Sequence, residues 1–242
     1  MTEFDIETIR NEIAPSGILV CALNHGNVVL VSRGQTDDTP TGVSVDLARA
    51  LAERLSLPIR FRHYEKAGAV SGSADTGEWD ICFLAIDPER AERIAYSEPY
   101  VLIEGAFLVR CVLDVSSLPD IVRLRLKIGA VKGSAYELFL SRNGGAGELI
   151  RFDSFPEARD ALEAGELDGL AGVRQAMQKV AGDQPGYEVT AEPFMAIPQA
   201  VGVSVSRPLA AAFVKAFVDE KKVAGFVRTA LDRSGHPDVV VP

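Results

Sequence analysis

The chain has few of the residue types that hold metal ions or build disulfide frameworks. Its 242 residues include three cysteines and three histidines, and no two cysteines form a CxxC pair. The spacing of these residues matches no common metal-binding pattern, and an odd number of cysteines argues against a full disulfide framework. Cys21 and Cys82 lie in apolar, strand-like runs, which is typical of buried thiols. We therefore expect no metal ion and no other cofactor.

Long apolar segments are also lacking. No run of about 18 apolar residues is present, so the sequence predicts no membrane span. The N-terminal stretch MTEFDIETIRNEIAPSG is acidic and has no basic segment followed by an apolar one, which a secretory signal requires. As written, the protein would stay in the cytoplasm unless a leader had been removed, and FDIETIRNEI has the pattern of a native helix.

Positive charge is in short supply relative to negative charge. Lys and Arg number 25 against 34 Asp and Glu, which gives a formal net charge of -9. An acidic chain of this kind is a poor candidate for binding nucleic acid or an anionic membrane surface. The negative net charge does not exclude a small anionic ligand, because a local cluster of positive groups can outweigh the negative potential of the whole protein. Hydrophobic residues make up 47%, which is enough for a sizeable core.

Strand-like and helical segments alternate along the chain. The helical patterns include SVDLARALAERL and PEARDALEAG, and a helical tail follows Arg207 with a break near Gly225. This alternation predicts an α/β protein with parallel sheets covered on both faces. The predicted strands are ILVCAL (18–23), IRFRHY (59–64), GEWDICFLAI (77–86), VLIEGAFLVRCV (101–112), RLKIGAVKG (125–133), ELIRF (148–152), ELDGLAGV (166–173) and QAVGVSV (199–205).

One short pattern occurs twice, each time before an apolar strand. Gly-Glu-x-Asp stands at residues 77–80 and again at 165–168. The repetition indicates two lobes of similar plan, although this tetrapeptide is also a common turn sequence.

The segment KGSAYELF combines a turn with a helix start. Gly133 allows a tight turn, and Ser134 with Glu137 three residues later fits a capping box, so we expect the helix to begin at Ser134. The free N–H groups of such a helix start attract an anion. The same residues can equally form a cap that binds nothing.

Arg90 follows an apolar run and an Asp-Pro turn. Asp87-Pro88 can open a short helix, which places Arg90 close to the carboxyl end of a buried strand. Ligands of open α/β sheets bind outside these ends, and arginine can bind a carboxylate with two parallel hydrogen bonds. The alternative is a surface arginine paired with Glu89 or Glu92.

Together these segments resemble the family 3 bacterial solute-binding proteins, the polar amino acid binders of ABC importers. The segment GEWDICFLAIDPERAERIAYSEPY is similar to the signature in which a G-x-x-D strand leads to an arginine and then to FS-x-PY. The matching positions are Gly77, Asp80, Arg90, Tyr96, Ser97, Pro99 and Tyr100. GVSVDLARALAERL, AVKGSAYELF and GELDGLAG resemble further family segments, so the resemblance covers about residues 15 to 232.

The resemblance implies a type II periplasmic-binding-protein fold, with two α/β lobes, two crossover strands and a ligand cleft between the lobes. Residues 1–103 and 199–242 would form the first, discontinuous lobe, and residues 104–198 the second. It also implies a periplasmic location, a monomer that closes over a small carboxylate ligand, and ABC importer membrane subunits as partners. The candidate ligand-binding residues are Arg90, Ser134, Ala85, Ala135, Phe83, Asn24, Glu104, Gln175 and Gln199.

The sequence departs from the family pattern where an amino acid's ammonium group would bind. Phe83 and Ala85 stand where the family has a polar residue and, two places later, a Ser or Thr. Val173 stands where an acidic residue is expected, and the first-lobe acid aligns near Leu23 or Asn24. The carboxylate-binding arginine is thus retained without the ammonium-binding acids. Glu104, Gln175 and Gln199 are candidates to replace them, and Arg174 beside Gln175 could add a second positive group for an anionic ligand.

Two other functional classes, an enzyme of the same fold and a ligand sensor, are alternatives to a transport protein. Some proteins of this fold are dehydratases of prephenate-like acids, and Glu104 would be the general acid if burial raised its pKa. No nucleophile–base pair, metal motif or phosphate loop supports catalysis in this sequence. A cytoplasmic ligand sensor is the third class, and it rests only on the absence of a leader. We therefore predict a non-catalytic binding protein.

Overall fold

The computed structural model describes residues 4–36, 39–144 and 147–242. The chain divides into two compact units, residues 1–102 with 198–242 (unit 1) and residues 103–197 (unit 2). The helices and strands up to the first crossing strand are α1 (Ile6–Ile13), β1 (Leu19–Asn24), α2 (Val43–Arg54), β2 (Ile59–Tyr64), α3 (Ala67–Gly72), β3 (Ile81–Ala85), α4 (Pro88–Ala91), β4 (Ile94–Tyr96) and β5 (Val101–Arg110). The later ones are α5 (Leu118–Leu124), β6 (Lys127–Val131), α6 (Ala135–Asn143), β7 (Glu148–Phe152), α7 (Phe155–Glu163), β8 (Gly169–Val173), α8 (Arg174–Asp183), β9 (Tyr187–Val189), β10 (Met195–Ser204), α9 (Pro208–Val223) and α10 (Phe226–Arg233).

Unit 1 is built on a parallel sheet of β2, β1 and β3, in that order. β10 returns antiparallel to β3, and β4 pairs with β10. β3 is buried along its whole length, as expected for a strand covered on both faces. One hydrophobic cluster packs around Trp79, Cys82 and Leu84 on a face of this sheet.

Unit 2 has the same plan. Its parallel strands run in the order β7, β6, β8, and β5 lies antiparallel to β8 with β9 beside it. β8 is likewise buried at every position. Two hydrophobic clusters, one around Phe107 and one around Leu170, form the core of this unit.

The repeated Gly-Glu-x-Asp segments occupy the same place in each unit. Gly77 and Gly165 both adopt positive φ angles, +71° and +77°, which favour glycine. The aspartate that closes each segment accepts a hydrogen bond from the middle strand of its own unit's parallel sheet, Asp80 from the N–H of Val20 in β1 and Asp168 from that of Lys127 in β6. The repeat therefore performs the same structural role twice.

Several element boundaries differ from those predicted from sequence. The strand expected over residues 77–86 is confined to Ile81–Ala85, because the first residues form the turn just described. β10 begins at Met195, four residues before the predicted start. α3 and α5 were not predicted, because their sequences AGAVSG and LPDIVRL are too short to show a helical period, and the second residue of α5 is a proline.

The N-terminal helix is an integrated part of unit 1. The Glu12 carboxylate accepts the N–H groups of Leu209 and Ala210 at the start of α9, at 2.8 and 3.0 Å. Arg207 donates to the carbonyl of Ile13 and to the carboxylate of Asp80. The predicted break in the helical tail lies at Gly225, between α9 and α10. Among the described residues, no helix has the length and apolar character needed to cross a membrane.

Candidate functional site

Arg90 lies buried at the carboxyl end of β3. It belongs to the single-turn helix α4, which opens at Asp87 with a side-chain cap to the N–H of Glu89. Only 3% of Arg90 is exposed, and its Nη1 donates to the carbonyl oxygen of Ala85 at 3.1 Å. The alternative of a surface arginine is therefore wrong. Burial lowers the pKa of the guanidinium, whereas Tyr96, Asp87 and other neighbours raise it.

Three other candidates surround this strand end in unit 1. Ala85 is the last residue of β3 and pairs in register with Gln199 of β10, and both residues are buried. In an antiparallel pair, side chains that are directly opposite share one face of the sheet. Phe83 lies two residues earlier on that face, and its ring meets the ring of Tyr100 edge-on, at 6.2 Å between centroids. The sheet thus brings Arg90, Ala85 and Gln199 together, with Phe83 packed beside them.

Asn24 ends β1 at the same edge of the unit 1 sheet. Its Oδ1 accepts the N–H of Gly26 at 3.1 Å, so the side chain shapes the following turn. The next residue, His25, is half-buried and stacks on His63, with 2.7 Å between Nε2 of His25 and Nδ1 of His63.

Ser134 is the N-cap of α6 in unit 2, and Ala135 is the first residue of that helix. Ser134 Oγ accepts the N–H of Glu137 at 3.2 Å, so the cap itself is as predicted. The reciprocal bond differs, because the Glu137 carboxylate accepts the N–H of Gly133 rather than that of Ser134. Glu137 is buried and also accepts from Ser141 and Arg151. These contacts hold the strand-to-helix turn in place.

Glu104 and Gln175 lie where β5 and β8 of unit 2 run side by side. The pairing of Gly105 with Val173 brings Glu104 next to Arg174, and the two form an ion pair. Arg174 also donates to the carbonyl oxygens of Thr190 and Ala191, so all three of its side-chain nitrogens have acceptors within the unit. Glu104, which is half-exposed, and Arg174 therefore both have their partners within unit 2.

Gln175 sits in the first turn of α8, a helix whose N-cap Val173 provides no side-chain cap. Its Oε1 is buried and has no hydrogen-bond partner among the residues that the structure describes. A buried acceptor without a partner is costly, so Gln175 retains a capacity to bind a donor.

Sequence reasoning missed some buried polar groups. Asn27 is 7% exposed and its Oδ1 accepts the N–H of Val29. It follows β1 as Ser134 follows β6, a relation visible only once the two units are seen to share a plan. The hydroxyl of Tyr96 is buried near Arg90, and no sequence signal distinguishes it from other motif residues. Within the described ranges, no cluster of three His, Cys, Asp or Glu side chains could hold a metal ion.

Comparison with protein families gives a match over most of the chain. The family model described as "Bacterial extracellular solute-binding proteins, family 3" matches residues 21–219. The glutamine-binding protein GlnH of an ABC transporter in Bacillus subtilis is 23% identical over 145 residues, 60% of this chain and 53% of that protein. A glutamine-binding protein of Geobacillus stearothermophilus is 24% identical over 166 residues, 66% of this chain and 63% of that protein. The chain thus spans a little over half the length of these relatives.

Solved structures share the fold. A P235GK mutant of ArgBP from T. maritima has a TM-score of 0.78 at 19% identity, covering 94% of this chain and 99% of that one. A substrate-binding protein of an amino acid ABC transporter from Streptococcus pneumoniae, bound to L-arginine, has a TM-score of 0.77 at 20% identity and covers 99% and 100%. The predicted type II periplasmic-binding-protein fold is confirmed by this likeness. These relatives and neighbours are all named as binding proteins.

Proposed function

Because the chain belongs to the bacterial extracellular solute-binding proteins, family 3, we propose that it binds a small carboxylate for an ABC-type importer. The ligand class is an amino acid or a related organic acid. The relatives named for glutamine and the neighbour bound to L-arginine support an amino acid. The partners in this proposal are the ligand and the membrane subunits of an importer, and the protein acts as a monomer.

The buried guanidinium of Arg90 carries the proposal. A charge that is almost fully removed from water needs compensating partners, and the Ala85 carbonyl and the nearby Asp87 carboxylate supply part of this compensation for Arg90. A ligand carboxylate is a chemically suitable partner, because its two oxygens match the guanidinium fork. The position at the carboxyl end of β3, beside Ala85 and Gln199, is where open α/β sheets bind their ligands.

The remaining candidates would serve other parts of the ligand. Ser134 and the N–H groups at the start of α6 suit an oxygen or a negative charge. The buried Oε1 of Gln175 and the amide of Gln199 are acceptors that suit N–H or O–H groups. We assign Asn24, Phe83, Ala85 and Ala135 to the shape of the surface rather than to charged contacts.

The enzymatic alternative depended on Glu104 as a buried general acid. Its side chain is 51% exposed and is paired with Arg174, so it lacks the burial on which that alternative rests. None of the relatives and solved structures described above is named as a sensor.

A thermal-shift panel tests the proposal. The panel contains L-glutamine, L-arginine, other α-amino acids, dicarboxylates, keto acids and polyamines. A ligand at about 100 times its Kd stabilises the native state by about 2.7 kcal/mol, which raises the melting temperature measurably. We expect a hit among the carboxylates and none among the polyamines, which lack a carboxylate. A protein stabilised only by polyamines, or by nothing in the panel, would refute the proposed ligand class.

A further inference from the structure

The hydroxyl of Tyr96 is a buried polar group in unit 1 for which no role has been assigned. It has no hydrogen-bond partner among the described residues, and the oxygen itself is removed from solvent. A buried hydroxyl without a partner loses its hydrogen bond to water and gains nothing in exchange. Such groups are rare in native proteins, and each one needs an explanation.

The ring of Tyr96 is held in a defined position. Tyr96 ends β4 and pairs in register with Gly202 of β10. A methyl group added to Gly202 would lie 3.2 Å from Cε1 of Tyr96 and 2.9 Å from Sγ of Cys82. The ring therefore packs directly over the backbone of Gly202, beside the Cys82 thiol. The close packing holds the ring in place.

Arg90 shares this buried region. Its helix, α4, packs against β4. Burial raises the pKa of Tyr96, and the nearby charge of Arg90 opposes the increase. Burial likewise raises the pKa of Cys82 to about 12, again opposed by Arg90. Tyr96, Cys82 and the guanidinium are thus close enough to influence one another's charge.

The chemistry of the neighbours limits what can satisfy the hydroxyl. At neutral pH the phenol is protonated and can donate a hydrogen bond. A guanidinium has no acceptor, and a thiol is a weak one. The Asp87 carboxylate is a third neighbour, but it accepts the N–H of Glu89 and makes no hydrogen bond to the Tyr96 hydroxyl. A ligand carboxylate bound to Arg90 offers about four lone-pair sites, of which the arginine fork uses two. The carboxylate would bring into this region the acceptor that the hydroxyl lacks.

We propose that the Tyr96 hydroxyl donates a hydrogen bond to the ligand carboxylate that Arg90 binds, so that Tyr96 is a further ligand-binding residue. The proposal rests on the proposed function of Arg90. It accounts for a phenol at a position where phenylalanine would fill the same space without burying a polar atom.

The test compares Y96F with Y100F, which makes the same chemical change in the same unit. The Tyr100 hydroxyl is also buried, but it is hydrogen-bonded to Ser44 Oγ at 2.9 Å. The probes are L-glutamine, L-arginine and glutarate, measured by isothermal titration calorimetry alongside the melting temperature of each variant. We expect Y96F to bind its probe about ten times more weakly while its melting temperature is equal to or above that of the wild type. We expect Y100F to have a lower melting temperature because it leaves Ser44 without its partner.

Three outcomes would overturn the proposal. Unchanged probe affinity in Y96F would show that the hydroxyl does not contact the ligand. A loss of melting temperature as large as that of Y100F would show that the hydroxyl supports the fold instead. Wild-type protein that binds neither these probes nor any other carboxylate of the thermal-shift panel would remove the basis of both proposals. If R90A loses binding and Y96F keeps it, the function assigned to Arg90 stands and only the role of Tyr96 fails.

Discussion

Asp80 and Val20 exchange two hydrogen bonds that fasten β3 to β1. The N–H of Asp80 donates to the carbonyl of Val20 at 2.8 Å, and the Asp80 carboxylate accepts the N–H of Val20 at 2.9 Å. Asp168 and Lys127 make the same exchange between β8 and β6, at 2.9 and 2.8 Å. The repeated sequence motif is therefore a repeated clamp that sets the register of the strands leading to the candidate site.

The two clamps should contribute different amounts to the stability of the fold. Asp80 is buried and also holds Arg207 at 2.9 Å, whereas Asp168 is half-buried. Removing one partner of a buried ion pair costs about 3–5 kcal/mol, against about 1 kcal/mol for a half-exposed hydrogen bond. We expect D80A to lower the melting temperature considerably more than D168A. Equal losses in differential scanning calorimetry would contradict the role of the Arg207 contact.

Gly42 should tolerate no side chain. It precedes α2 with φ of +117°, and a methyl group there would lie 2.3 Å from the carbonyl oxygen of Leu30. We expect G42A to destabilise unit 1 by at least about 2 kcal/mol. G72A is the matched control, because a methyl group at Gly72 meets nothing within 4 Å and alanine favours the helical conformation of α3. Thermal melts should show a large loss for G42A and none for G72A.

Glu137 should make unit 2 sensitive to acid. Burial alone would raise its pKa, but hydrogen bonds from Ser141, Gly133 and Arg151 outweigh burial and hold the pKa below the ordinary value of 4.5. Because the folded pKa is depressed, the carboxylate stabilises the fold above about pH 4.5. This contribution is lost as the pH falls through the folded pKa.

The measurement compares E137Q with the wild type between pH 7 and pH 3. We expect E137Q to melt at a lower temperature at pH 7, and the difference to shrink below about pH 4.5 as the wild-type carboxylate becomes protonated. E157Q is the control, because Glu157 occupies the corresponding cap position of α7 but is exposed, and its effect at pH 7 should be smaller. A difference for E137Q that is constant across the pH range would contradict this role.

Ser134 should matter for binding beyond its role as a helix cap. Losing an N-cap hydroxyl costs about 0.5–2 kcal/mol of stability. S154A is the matched control, because Ser154 is the N-cap of α7 and its Oγ accepts the N–H of Glu157 at 3.3 Å. We expect both variants to lose stability, and only S134A to lose affinity, by about three- to tenfold. Because the backbone N–H groups at the start of α6 remain in S134A, its loss of affinity should be smaller than that of R90A. Equal affinity in S134A and S154A would restrict Ser134 to capping.

Much of the fold could be predicted from local sequence patterns. The strands at 59–64 and 148–152 fall where alternation and apolar runs placed them. These elements are determined by residues adjacent in sequence. The ion pair of Glu104 with Arg174 could not be predicted, because it depends on the antiparallel pairing of Gly105 with Val173.

The residues of the candidate site could be proposed from sequence, but the environment of their side chains could not be predicted. Arg90 was singled out from the turn that precedes it, yet its burial depends on how the four-residue helix α4 packs. The unpartnered hydroxyl of Tyr96 is likewise a product of tertiary packing over Gly202. A sequence shows which groups are present, whereas burial and missing partners appear only in the folded chain.

Calorimetric titration of R90A and R93A with the carboxylate that most raises the wild-type melting temperature tests the central claim most directly. Arg93 is an exposed arginine three residues from Arg90, and it pairs with Asp75 at the surface. Losing two charge-assisted hydrogen bonds should weaken binding by R90A at least about a hundredfold, while R93A binds as the wild type does. A folded R90A that retains wild-type affinity would contradict the assignment of Arg90 as the carboxylate-binding residue.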